Sequence, residues 1–125
     1  MLAGMIPTRI HGMLDYLMGI LLIVSPWLFG FSDSNTATWT AVVVGVLIIG
    51  TSLITDYELS VANIVPMRAH LGLDVLLGAF LAVSPWLLGF ADENWWWFVV
   101  AGVAEIGAGL ATEPEPEART ARAAV

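Results

Sequence analysis

Four long apolar runs, residues 10–31, 37–54, 67–90 and 95–111, alternate with short polar segments along the chain. A helix needs about 20 residues, at about 1.5 Å each, to cross a hydrocarbon core of about 30 Å. Each run therefore predicts a transmembrane helix. The segments between them, residues 32–36, 55–66 and 91–94, carry turn and loop chemistry. The expected architecture is an all-α, polytopic membrane protein: four helices in two consecutive hairpins, packed as a bundle.

Composition reinforces this pattern. Of 125 residues, 58% are hydrophobic and only 12% charged, against about 25% charged in an ordinary soluble domain. Eleven acidic residues face four arginines, giving a net charge of −7, which argues against nucleic acid as a partner. The absence of cysteine removes disulfides, thiolate metal sites and cysteine nucleophiles. The first apolar run continues past signal-peptide length with no A-x-A-like site after it, so it is expected to stay in the protein.

Orientation follows from the arginines, because basic loops remain cytoplasmic. With four spans, Arg9, Arg68, Arg119 and Arg122 all fall on one side, and the two opposite loops have no basic residue. Both termini are expected in the cytoplasm, with the bundle in the inner (plasma) membrane. Trp27, Trp39, Trp86 and Trp95-Trp96-Trp97 then cluster at the outer helix ends as an aromatic belt. Residues 112–125, with Glu113-Pro114-Glu115-Pro116-Glu117, read as a disordered cytoplasmic tail, since prolines and like charges oppose packing.

The chain repeats itself. Pro7-Thr8-Arg9-Ile10-His11-Gly12-Met13-Leu14-Asp15 aligns with Pro66-Met67-Arg68-Ala69-His70-Leu71-Gly72-Leu73-Asp74 at an offset of 66 − 7 = 59. The same offset carries Ser25-Pro26-Trp27-Leu28-Phe29-Gly30-Phe31 onto Ser84-Pro85-Trp86-Leu87-Leu88-Gly89-Phe90 and, more weakly, Asn35 onto Asn94 and Gly50 onto Gly109. One repeat occupies residues 1–62 and the other 63–111. An even number of spans in each unit predicts parallel copies about a pseudo-two-fold axis along the membrane normal.

With Ser25-Pro26-Trp27 and Ser84-Pro85-Trp86 each following a His-x-x-x-Asp, the chain resembles the SPW-repeat membrane proteins of bacteria and archaea over about residues 7–111. The resemblance implies the fold and the membrane location, and it brings no catalytic residues with it.

Within each Ser-Pro-Trp motif the proline removes a backbone donor and frees the carbonyl four residues earlier, Leu22 or Leu81. The serine hydroxyl can satisfy that freed backbone, and the tryptophan anchors the helix at headgroup depth. The His-x-x-x-Asp motifs carry more chemistry. A spacing of four puts His11 with Asp15, and His70 with Asp74, on one helix face, each aspartate about 12 Å along the axis from its proline. Ionisable groups at that depth cost at least about 2.5–3.5 kcal/mol on insertion scales, so they face the interior and pair.

Together with Arg9, Arg68 and Glu105, these four form the candidate intramembrane site. Three uses remain open: a polar lock between helices, a proton or ion pathway, and a ligand or metal site. Two histidines and two aspartates can hold a divalent metal if they meet across the axis, but nothing in the sequence brings them together. Glu105 breaks the repeat, falling opposite Val46 at the offset of 59. Small residues on the last span, including Ala104-x-x-x-Ala108 and Gly107-x-x-x-Ala111, are expected to pack within the bundle, with another chain as the alternative.

No phosphate loop, His-Glu-x-x-His or nucleophile elbow occurs. No catalytic, cofactor-binding or metal-binding residue is therefore assigned. The favoured expectation is a small membrane scaffold or accessory protein whose partners are the lipid bilayer and either further copies of itself or a larger membrane complex. The alternative is a proton or ion pathway, or a small-ligand binder, built on the His-x-x-x-Asp patches.

Overall fold

A computed structural model describes residues 4–112. Four helices follow in order: α1 (Thr8–Leu28), α2 (Asn35–Ile54), α3 (Met67–Leu87) and α4 (Trp95–Ala111). Among the described residues there are no strands, only two isolated bridges. The first three helices are long and apolar enough to cross a membrane. At 17 residues, α4 is shorter, about 26 Å.

Local chemistry sets the helix ends. Pro7 and Pro66 sit just outside α1 and α3 with extended backbone, φ −68° and −61°, and the proline ring fixes φ ready for the helix that follows. Ser34 caps α2 by accepting from the Ala37 amide at 3.2 Å. At their C-termini α1 and α3 stop three residues before the apolar runs do. Gly30 (φ +76°) and Gly89 (φ +78°) adopt the left-handed conformation, and the amides of Phe31 and Phe90 fold back onto the carbonyls of Pro26 and Pro85 at 2.8 and 2.7 Å. This is the Schellman termination that glycine favours. Phe31 and Phe90, expected as the last residues of their spans, instead turn inward and are buried. Both pack on Phe98, with ring centroids 5.4 and 4.7 Å away.

The two prolines inside helices cost no orphaned carbonyl at Leu22 or Leu81. Ser25 Oγ donates to Leu22 O and Ser84 Oγ to Leu81 O, each at 2.7 Å. The repeated Ser-Pro pair is thus a self-repairing break in the helix.

Each hairpin closes on a pair of glycines. A Cβ at Gly45 would lie 2.7 Å from the Gly19 carbonyl, and one at Gly102 would lie 2.5 Å from the Gly78 carbonyl. Backbone therefore meets backbone, as small residues permit between membrane helices. Gly19 and Gly78 keep the offset of 59, but Gly45 and Gly102 stand 102 − 45 = 57 apart. By these contacts Glu105 corresponds to Ile48 rather than Val46, and Gly109 to Ser52 rather than Gly50. Gly50 has open space around it, whereas Gly109 packs against Val75. On α4 the inward small residues are Ala101, Gly102 and Gly109. Ala104 and Gly107 are exposed, so the expected small-residue pairs do not make the contact within the bundle.

The outward faces are apolar: Leu17, Ile20, Val46, Leu76, Val100 and Val103 are all more than half exposed. The ionisable groups farther inside the helices, His11, Asp15, His70, Asp74 and Glu105, are buried, whereas Arg9 and Arg68, in the first turns of α1 and α3, are exposed. This arrangement inverts that of a soluble bundle and is the one a lipid environment requires. Trp27, Trp39, Trp86, Trp95 and Trp96 lie on the surface, but Trp97 is buried with its ring centroid 5.0 Å from that of Phe29. It belongs to the core and not to the belt. The expected acidic tail, with Arg119 and Arg122, lies outside the described residues apart from Thr112, which is buried against the fold.

Candidate intramembrane polar site

The four residues of the two His-x-x-x-Asp motifs meet in one place. His11 Nε2 lies 2.6 Å from Asp74 Oδ2 and 3.1 Å from Asp15 Oδ2; His70 Nε2 lies 2.7 Å from Asp15 Oδ2 and 3.1 Å from Asp74 Oδ2. Each histidine is therefore closer to the aspartate of the other repeat than to its own. All four side chains are at most 1% exposed, and the imidazole rings meet edge to face with centroids 5.5 Å apart.

The outer nitrogen of each ring is held by a threonine. His11 Nδ1 is 2.8 Å from Thr112 Oγ1, and His70 Nδ1 is 2.7 Å from Thr55 Oγ1. Thr112 and Thr55 stand immediately after α4 and α2, so the network touches all four helices. Each hydroxyl donates its single proton back into its own helix, Thr112 to Ala108 O and Thr55 to Thr51 O, both at 2.5 Å. Each threonine therefore has only lone pairs to offer the ring. Both histidines must carry a proton on Nδ1 and donate it, and this fixes their orientation.

The chain segments ahead of α1 and α3 reinforce the same contacts. The Ile6 amide donates to Ala111 O at 3.0 Å, and the Val65 amide to Ile54 O at 2.8 Å. The loop between α2 and α3 then covers one side. Tyr57 is buried and leaves no space beside Gly12 for a side chain. Burial also pushes its phenol up from the usual range. Tyr16 Oη donates to Leu59 O at 2.9 Å, and Thr8 Oγ1 to Glu58 Oε1 at 2.5 Å.

The two aspartates differ in detail. Asp15 Oδ2 also accepts from Ser52 Oγ at 3.3 Å. On the other side Gly109 approaches the Asp74 side chain and offers no donor. Asp15 Oδ1 and Asp74 Oδ1 are buried with no hydrogen-bond partner among the described residues.

The other candidates lie apart. Arg9 and Arg68 are exposed, and neither makes a hydrogen bond or ion pair with the quartet among the described residues. Glu105 is 3% exposed and its Oε2 has no partner among the described residues. It lines a cleft of about 120 Å³ together with Leu14, Leu17, Met18, Leu21, Ala104 and Ala108. Nothing in the sequence marks Thr55, Thr112, Ser52 or Tyr57 as site residues. The one available signal was a threonine directly after the second helix of each repeat.

A polar quartet enclosed by four mostly apolar helices defines an integral membrane protein of the helix-bundle class. The family model of the SPW repeat domain matches residues 9–112, and the chain belongs to that family. No curated protein and no solved structure matches it.

Proposed function

We propose that this protein is a non-catalytic membrane scaffold or accessory subunit whose quartet clamps the four helices together. Its two repeats are related by a pseudo-two-fold axis through the quartet. One observation carries the reading: His11, Asp15, His70 and Asp74 are fully enclosed and, with Thr55 and Thr112, join every helix. With both imidazoles protonated, two positive and two negative charges sum to zero, the condition under which burial in hydrocarbon is tolerable. The outward apolar faces are then free for lipid, for further copies or for a larger membrane complex.

Wild-type protein in liposomes should pass no protons or ions above the empty-vesicle rate. Flux that disappears in Asp15→Asn would replace the clamp with a pathway. In this reading the chain lies in the inner membrane with both termini cytoplasmic, which the one-sided distribution of the arginines supports. Because it has no native cysteine, a membrane-impermeant maleimide should label Asp33→Cys and Asp92→Cys on intact cells and should miss Asn63→Cys. The reverse pattern would invert the orientation.

A second reading attaches to Glu105, whose unpartnered carboxyl oxygen sits in an apolar cleft suited to a small lipophilic cation. Binding of such a probe that Glu105→Gln abolishes would support it, and binding unchanged by that substitution would remove it.

A further inference from the structure

We infer that the quartet is a binding site for one divalent transition-metal ion, held by His11 Nε2, His70 Nε2, Asp15 and Asp74. The inference rests on the clamp described above and specifies what can occupy its centre. Each of the four residues offers a ligand atom, and these atoms all lie within 4.8 Å of one another. Nitrogen and oxygen alternate around the ring, with neighbouring donors 2.6–3.1 Å apart. An ion with bonds of about 2.0–2.2 Å holds neighbouring donors about 2.8–3.1 Å apart at right angles. The ring therefore opens by only a few tenths of an ångström to take a four-coordinate ion of N2O2 type, a set suited to Cu²⁺ or Ni²⁺. Opening to the wider spacing of a tetrahedral site, about 3.3–3.6 Å, also admits Zn²⁺.

Three further observations point to an ion. First, Thr112 and Thr55 force the proton onto Nδ1 of each ring. A neutral imidazole in that tautomer aims the Nε2 lone pair at the centre, which is how a second shell prepares a histidine ligand. Second, Asp15 Oδ1 and Asp74 Oδ1 are buried without a partner among the described residues, and a longer second bond from each carboxylate, extending the N2O2 set to N2O4, would satisfy both. Third, one divalent ion replaces the two Nε2 protons with no change in net charge, so the quartet stays neutral in the membrane. The chain has two histidines and no cysteine, and both imidazoles converge here. No further imidazole or thiolate is left in the chain to hold a borderline metal elsewhere.

The test uses the untagged full chain, purified in detergent from cells grown with added Cu²⁺, Ni²⁺ or Zn²⁺, and measures metal content after desalting. Wild type should carry about one ion per chain, and Cu²⁺-loaded protein should show two equivalent nitrogens by electron paramagnetic resonance. The double substitution His11→Gln and His70→Gln should carry none. Because that variant can fail to fold, Thr55→Val with Thr112→Val provides an independent reading. All four ligands remain, and affinity should fall about 10–100-fold for each threonine lost.

Folded wild type with no metal after all three loadings would overturn the inference, as would unchanged affinity in the threonine variants. Metal-free wild type that still outlasts Asp15→Asn in unfolding would remove the ion and leave the clamp. Equal stability of those two proteins would remove the clamp beneath it.

Discussion

Asp15→Asn keeps the size of the side chain and removes its charge from the quartet. In the structure Asp15 Oδ2 accepts from His11, His70 and Ser52 at 3.1, 2.7 and 3.3 Å, all buried. Two magnitudes compete here. Neutral hydrogen bonds between membrane helices average only about 0.6 kcal/mol, whereas removing one partner of a buried ion pair costs about 3–5 kcal/mol because a charge is left uncompensated. The geometry favours the second, so Asp15→Asn should lose about 3–5 kcal/mol. Asp74→Asn should lose somewhat less, because Asp74 has no serine donor. The double variant should lose about 0.5–3 kcal/mol less than the sum of the singles, as expected for members of one network. Reversible unfolding in mixed micelles at neutral pH measures all three. A loss below about 1 kcal/mol for Asp15→Asn would refute the charged quartet and reduce it to ordinary polar contacts.

Ser25→Ala leaves the Leu22 carbonyl unsatisfied and should cost about 1–3 kcal/mol. Adding Pro26→Ala restores a backbone donor to that carbonyl and should recover most of the loss; no recovery in the same unfolding assay would show that the serine acts in another way. Gly102→Ala places a Cβ 2.5 Å from the Gly78 carbonyl and should cost about 1–3 kcal/mol by overpacking. Gly107→Ala, with nothing within 4 Å, should stay within about 0.5 kcal/mol of wild type, and equal effects at the two sites would contradict the packing described.

Hydropathy alone located all four helices, because burial in lipid leaves a run of apolar residues that no polar face interrupts. It overran the ends of α1 and α3, since Phe31 and Phe90 are apolar for a different reason: they are core residues beyond the glycine that stops each helix. The repeated Ser-Pro was fully legible, because proline identifies the carbonyl it frees and the serine stands within reach of it. The histidines and aspartates were legible as candidate site residues, but neither their meeting in one place nor their pairing was. A spacing of four suggests a local pair, while the shortest contact of His11 is to Asp74, on the other repeat. The arginines were drawn into the site by proximity in sequence, yet a guanidinium next to an interface keeps its charge in water. Thr55 and Thr112 were hidden because a hydroxyl at a helix end is unremarkable until tertiary packing sets a ring nitrogen against it.

The central claim is that His11 and His70 both close on aspartate carboxylates within one chain. Solid-state magnetic resonance in bilayers, on protein with ¹⁵N-labelled histidine and ¹³C-labelled aspartate, tests it most directly because only two histidines contribute signals. Magnetisation from both Nε2 atoms should reach aspartate carboxyl carbons, mixed samples of ¹⁵N-labelled and ¹³C-labelled chains should show no such transfer, and both Nδ1 atoms should be protonated. Nε2 signals with no carboxyl transfer, or transfer in the mixed samples that places the pairing between chains, would contradict the account.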